Sequence, residues 1–220
     1  MANNDTSQGV LVIGLGRFGS ALADTLDNLD IEVLAVERDP DLVERWSKRL
    51  PVVEADASDP RALEQLGAKD FSTAVVGVGT SLEASVLITG NLVDIGVPEI
   101  WSKATSPEHA RILTRIGAHH IVLPETESGR RVAHIVGGRM LDYIEVEDGF
   151  TVVKMRPPKE THGFTLEALA LQDKYGVRVI GVKAPGVDFE YATPQTRIHR
   201  DDLLVVAGDS ELLDRFAQRP

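Results

Sequence analysis

Over the first 125 residues, short apolar runs rich in Val, Ile and Leu alternate with longer segments of helical periodicity. That alternation is the signature of consecutive strand–helix units, each helix carrying the chain back across a sheet. The pattern predicts strands at Val10–Ile13, Glu32–Val36, Val52–Glu54, Ala74–Val78, Ile100–Lys103 and Ile121–Leu123. Several are apolar throughout, as strands covered on both faces must be, so the expected fold class is α/β with a doubly wound parallel sheet. Asp59-Pro60 and Ser106-Pro107 predict helix starts, because a side-chain oxygen caps unpaired amides and proline's missing N–H costs nothing in the first turn. Gly67 and Gly117 predict helix ends.

From Glu125 to Met140 the pattern reads as one long helix leading away from the sheet, although Gly129, Gly137 and Gly138 each oppose it by about 1 kcal/mol. Beyond Asp142 the grammar changes. Strands are expected at Ile144–Val146 and Thr151–Met155, a break at Pro157-Pro158, and a helix at Leu166–Tyr175 capped by Thr165. Further strands at Val177–Val182 and Leu203–Val206 and a closing helix at Leu212–Phe216 complete the chain. Two domains follow: an α/β domain over 8–141, its last helix at about 125–141, and a small α+β domain over 142–220.

Composition narrows the function classes. The 220 residues carry 23 Lys+Arg against 34 Asp+Glu, a net charge of −11. An acidic chain without a basic run lacks the field that displaces counterions from a duplex, so no nucleic-acid partner is expected. Cysteine is absent, which excludes disulfide frameworks and thiolate metal sites. The opening residues, Met1 to Gly9, contain neither a basic nor an apolar leader region, and no apolar run approaches the roughly 20 residues that span a bilayer. The expectation is a cytoplasmic protein that meets the membrane only through a partner.

The chemistry begins directly after the first predicted strand, at Gly14-Leu15-Gly16-Arg17-Phe18-Gly19. In this context the first glycine makes the tight turn, the second lets backbone amides approach a diphosphate, and the third allows close helix–strand packing. The anion would rest on the helix N-terminus. Glu37 ends the next strand 18 residues beyond Gly19, close to the spacing at which a carboxylate accepts from ribose hydroxyls and repels a 2′-phosphate. Asp56-Ala57, Gly77, Gly79 and Lys103 lie at the carboxyl ends of later strands, on the edge where such sheets bind ligands. Asp56 reads equally as a turn residue, and Lys103 also reads as a solvated surface lysine. Arg17 is the informative variable position: a permanent guanidinium beside a diphosphate suits an additional phosphate, and hence ATP over NAD, although it also reads as an exposed arginine at a helix start.

The ordered set VIGLGRFG (12–19), VLAVE (33–37), ADAS (55–58), LGAKDF (66–71), VGVGTSLEAS (76–85), IWSKA (100–104), HARILTRIGAHHIVLPE (109–125), GFTLEALAL (163–171) and RDDLLVVAG (200–208) resembles the RCK (KTN) family. Within it, the match is to the KtrA/TrkA-type regulatory subunits of bacterial potassium transport. The resemblance implies a Rossmann-like nucleotide-binding domain, a crossover helix and a small TrkA-C (RCK-C) domain. It implies homodimers assembling into a homo-octameric ring under an integral membrane potassium transporter, or under a cation/proton antiporter.

It further implies ATP/ADP as the ligand, with NAD(H) as the alternative. Arg17 would meet the terminal phosphate, Glu37 the ribose, Asp56-Ala57 the surroundings of the base, and Phe18, Arg38, Gly77 and Gly79 further parts of the nucleotide. Lys103 and Glu125 would lie near the phosphates at the dimer interface, where Glu125 can hold a divalent or monovalent cation. The small domain resembles a module that in some relatives binds cyclic di-AMP, near Val177–Ile180. Two positions depart from the family: Glu37 replaces a common Asp, and His119-His120 stands where an acid is frequent. Adjacent strand residues point to opposite faces, so the two histidines are expected not to share a metal. An NAD-dependent dehydrogenase is the rival from another class, but the second domain is small for a substrate domain and no acid–base pair stands out, so the reading is non-enzymatic.

Overall fold

A computed structural model describes residues 9–136, 140–147 and 149–219. Residue 8, Gly137, Gly138 and Pro220, on which parts of the domain and helix expectations fall, lie outside them, as do the first residues of the leader reading. The chain divides into two compact units at Glu125/Thr126.

The first unit alternates strand and helix: β1 (Val10–Ile13), α1 (Arg17–Asn28), β2 (Val33–Glu37), α2 (Pro40–Trp46), β3 (Val52–Glu54), α3 (Pro60–Gln65), β4 (Thr73–Val76), α4 (Leu82–Ile95), β5 (Glu99–Lys103), α5 (Pro107–Ile116) and β6 (His120–Val122). The expected helix starts form as read. Asp59 accepts from the Arg61 N–H and Ser106 from the His109 N–H, each with proline in the first turn. Asp39-Pro40 uses the same device, unnoticed in the sequence. Gly117 closes α5 at φ 115°, a left-handed conformation that a Cβ disfavours.

The six strands are parallel in the order β3-β2-β1-β4-β5-β6. Central β1 buries both faces: Leu11 and Ile13 pack into a cluster with Leu63, Ile88 and Leu92, while Val12 enters another with Leu15, Ala23 and Leu50. The strand order reverses between β1 and β4, which leaves a crevice at their carboxyl ends. β4 stops at Val76 rather than Val78. The Gly77 N–H makes the last ladder bond, to the Ile13 carbonyl at 2.8 Å, and Gly77–Gly79 then line the crevice.

Helix α6 (Pro124–Val136) has its residues from Thr126 onward in the second unit. Arg131 pairs with Asp142 at 2.7 Å and His134 stacks on Tyr143 at 3.9 Å, tying the helix to that unit's sheet. The sheet is antiparallel, in the order β10-β9-β11-β8-β7, from β7 (Met140–Glu147), β8 (Phe150–Met155), β9 (Val177–Lys183), β10 (Glu190–Tyr191) and β11 (Leu203–Asp209). Two-residue β10 is exposed and carries no alternation that could have announced it.

The helix expected over Leu166–Tyr175 is instead two, α7 (Leu166–Leu169) and α8 (Leu171–Tyr175), parted by Ala170 at φ 47°. Leu169 and Leu171 are both buried, and residues two apart cannot share one face of a continuous helix, so the break lets both reach the core. α9 (Ser210–Ala217) closes the chain, capped by Asp209.

Arg219 then pairs with Glu160 and lies over the Tyr175 ring, 4.5 Å from its centroid. The Arg219 hydrogen bond holds the Glu160 carboxyl below the usual glutamate value near 4.5. A carboxylate with a lowered folded pKa contributes stability above the unfolded value and loses it as pH falls through the folded one. Arg219→Ala is therefore expected to lower the urea unfolding midpoint at neutral pH, with the difference from the parent shrinking as pH drops below about 4.5.

Candidate functional site

Gly14 follows β1 at φ 91°, and a Cβ there would meet Val78 at 3.0 Å, so the turn admits no side chain without strain. Gly16 is the N-cap of α1; no side chain caps the first-turn amides and no acid stands in that turn. The 12-residue helix thus presents its positive end with a cation, Arg17, as its first residue. A cation is unfavourable at that end, and an anion satisfies both the amides and the guanidinium. Gly19 is buried on the back of the loop, where a Cβ would fall 1.9 Å from the Gly14 carbonyl oxygen. Its role is packing.

The crevice at the reversal point is a cavity of about 250 Å³. It brings together eight of the residues picked out from the sequence: Gly14, Gly16, Glu37, Arg38, Asp56, Ala57, Gly77 and Gly79. Arg17, Phe18, Gly19 and Lys103 are not among its lining residues. Asp39, Leu42 and Thr80 also line it and were missed. For Asp39 a signal existed, since its helix-capping pattern places it beside Glu37 at the same strand end.

Glu37 is buried, and its carboxylate is already engaged. Oε2 accepts from the Leu15 N–H at 2.6 Å, and Oε1 from the N–H groups of Arg38 at 2.8 Å and Asp39 at 3.0 Å. A carboxylate has about four acceptor positions, so one is left for a ligand hydroxyl. Glu37 therefore braces the glycine loop against β2, a role that its spacing in the sequence did not disclose. Asp56 Oδ1 accepts from the Ser58 hydroxyl at 2.6 Å and the Ser58 N–H at 2.9 Å. These bonds, with a smaller contribution from Arg38, hold its carboxyl below the ordinary aspartate value. Asn91 of α4 donates to the Ser58 carbonyl at 2.9 Å and fixes this turn from outside.

A second group sits at the cationic end of the loop. The Lys103 side chain is only 12% exposed, so it is not a solvated surface lysine. Its Nζ lies 2.7 Å from Glu125 Oε1 and 5.9 Å from the centroid of the Phe18 ring. A Cβ on Gly79 would lie 3.4 Å from Lys103 Cε and Nζ, which places the ammonium beside the crevice. Glu125, 61% exposed, has its pKa lowered chiefly by the Lys103 hydrogen bond, with smaller contributions that include the charge of Arg17. Within this one chain the Glu125 carboxylate is bonded to the Lys103 ammonium. Among the described residues no three His, Cys, Asp or Glu cluster to hold a metal.

His119 and His120 take separate partners. His119 Nδ1 accepts from the Ile100 N–H at 3.0 Å, while His120 lies 3.0 Å from Glu99 and stacks on Trp101. His109, which no motif had singled out for a role, is buried with its pKa lowered by that burial. Its Nδ1 accepts from the Thr105 N–H at 3.3 Å, which fastens the turn after β5 near Lys103.

Residues 10–124 match the TrkA-N domain and residues 150–219 the TrkA-C domain. This chain belongs to the RCK family of KtrA/TrkA type. It is 34% identical over 210 residues to the Ktr system potassium uptake protein C of Bacillus subtilis, covering 94% of this chain and 95% of that one. To the Ktr system potassium uptake protein A of the same organism it is 31% identical, covering 93% of each. Among solved RCK structures, the GsuK RCK domain superposes with a TM-score of 0.69 at 18% identity, over 99% of this chain and 49% of that chain. The GsuK channel bound to NAD superposes at 0.68 and 18% identity, over 96% of this chain and 39% of that one. At that identity the likeness is one of fold. No helix among the described residues is long and apolar enough to cross a membrane.

Proposed function

We propose that this RCK protein is a nucleotide-sensing regulatory subunit of a potassium transporter of Ktr type, with ATP and ADP as the competing ligands. The observation that carries the reading is the α1 N-terminus at the sheet's reversal point, uncapped and headed by Arg17, in a chain similar over nearly its full length to Ktr potassium uptake proteins. The diphosphate rests on the α1 amides, the ribose takes the remaining acceptor position of Glu37, and the base lies towards Asp56 and Ala57. Arg17 and Lys103 then face the phosphate end, where ATP places one more negative group than ADP.

The protein performs no chemistry on the nucleotide. It works by differential affinity: a ligand moves a two-state equilibrium only by the ratio of its affinities for the two shapes. One site with a tenfold ratio supplies about 1.4 kcal/mol, and homodimers assembled into an octameric ring multiply that. The ring acts on an integral membrane partner from the cytoplasmic side.

Arg17→Ala is expected to weaken ATP binding about tenfold while changing ADP affinity much less, measured by calorimetry on the purified protein. Equal losses for the two nucleotides would remove the discrimination on which the mechanism depends. NAD(H) is the second reading, supported by Glu37 at the ribose position and by the GsuK channel bound to NAD. Chromatography of the nucleotide released on denaturing the protein separates the two. Co-purification with the membrane partner tests a potassium transporter against a cation/proton antiporter.

A further inference from the structure

The second unit contains a cavity that the nucleotide reading does not use. Its position follows from strand register. Met155, the last residue of β8, pairs with Met140 at the start of β7 and with Leu204 near the start of β11. Three segments converge at this edge of the sheet: Arg156–His162 leaving β8, Arg200-Asp201 entering β11, and Met140-Leu141 opening β7. They line, with Ile135 of α6, an open cleft of about 970 Å³, at the upper end of the size that takes drug-sized ligands.

Its walls divide by chemistry. Ile135, Met140, Leu141 and Pro157 are apolar; Arg156, Lys159, Arg200 and His162 are basic, with Asp201 the single carboxylate among the described lining residues. None of Arg156, Lys159 and Arg200 makes an ion pair among the described residues, although carboxylates outnumber cations in the whole chain, 34 to 23. All three are exposed at its rim, where water screens their mutual repulsion and an anion could join them.

The frame that carries them is rigid. Pro157 and Pro158 are buried and have fixed φ. Buried Thr161 donates its hydroxyl to the Pro158 carbonyl at 2.7 Å, and His162 Nε2 donates to the Pro157 carbonyl at 3.2 Å, which fixes the ring against the loop. Across the cavity, Asp202 is buried and accepts from the His199 N–H at 2.7 Å, which pins the turn presenting Arg200.

We propose that this cavity binds a phosphate-bearing anion, its oxygens held by Arg156, Lys159 and Arg200 and its remainder against Met140 and Leu141. Guanidinium groups match phosphate oxygens in pairs, and the lysine adds a point charge. The same phosphate chemistry is offered by a soluble phosphorylated metabolite and by the headgroup of an anionic lipid. The site belongs to the second unit and does not depend on the glycine loop.

The test reads Lys159 itself, by the rate at which its amine is acetylated in the intact protein, followed by mass spectrometry with exposed Lys69 as reference. Pyrophosphate at millimolar concentration is one arm; vesicles of phosphatidylcholine with or without phosphatidylglycerol are the other. The expected result is that one of the two ligands slows acetylation of Lys159 about tenfold relative to Lys69, and that Arg156→Gln/Arg200→Gln abolishes this at an unchanged unfolding midpoint. Arg17→Ala is expected to leave it intact. Protection by pyrophosphate identifies a soluble anion, and protection only by phosphatidylglycerol vesicles a lipid headgroup. If neither ligand protects Lys159, or if protection survives in the double variant, the proposal is overturned.

Discussion

Gly19→Ala is expected to abolish nucleotide binding and to destabilise the first unit by about 3 kcal/mol, the upper range for forcing atoms into packed space. The added methyl would sit 1.9 Å from the Gly14 carbonyl oxygen and 3.1 Å from its carbon, and both atoms are backbone. No rotamer relieves that contact, so the start of α1 must move off β1 and carry its uncapped amides with it. Urea unfolding and calorimetric titration with ATP read the two effects. Gly16→Ala supplies the contrast, because a Cβ at Gly16 meets nothing within 4 Å and its φ of −62° is ordinary. That variant is expected to unfold within about 0.5 kcal/mol of the parent, yet to lose affinity about tenfold if the phosphates approach the loop where the amides invite them. Equal ATP affinity for Gly16→Ala and the parent would place the diphosphate elsewhere.

Glu37→Ala is the second large effect, and it is expected in the protein without any nucleotide. Removing the carboxylate strands three backbone donors, and the buried Leu15 N–H has no other partner in the described structure. Each unsatisfied buried donor costs roughly 1–3 kcal/mol, although Arg38 and Asp39 lie nearer the surface where water can substitute, so a loss of about 3 kcal/mol is expected. Glu37→Gln keeps an acceptor oxygen and is expected to fall between. Thermal and urea unfolding of the ligand-free variants measure both. If Glu37→Ala unfolds with the parent, Glu37 serves the ligand alone and the bracing role fails.

Much of this was legible in the chain. Strands such as Val10–Ile13 and helix starts such as Asp59-Pro60 and Ser106-Pro107 announce themselves because burial on two faces and end-capping are local requirements. The lining of the crevice was legible for the same reason: in a doubly wound sheet, residues just past the carboxyl ends of strands gather whatever the intervening helices are. The split at Ala170 was hidden, since helical periodicity over Leu166–Tyr175 looks continuous until the core claims Leu169 and Leu171 together.

The order of residues alone determined the layered α/β architecture, the acidic and cysteine-free character, and the glycine loop with its arginine and the carboxylate one strand away. Only the tertiary structure decided how those parts meet. It turned Glu37 towards the Leu15 amide, sank Lys103 beside Phe18 and Glu125, and drew three cations that make no ion pair among the described residues to one edge of the second sheet. Periodicity and capping are properties of neighbours in sequence. A hydrogen bond or a cavity depends on which distant backbone groups and side chains the fold brings within reach of one another.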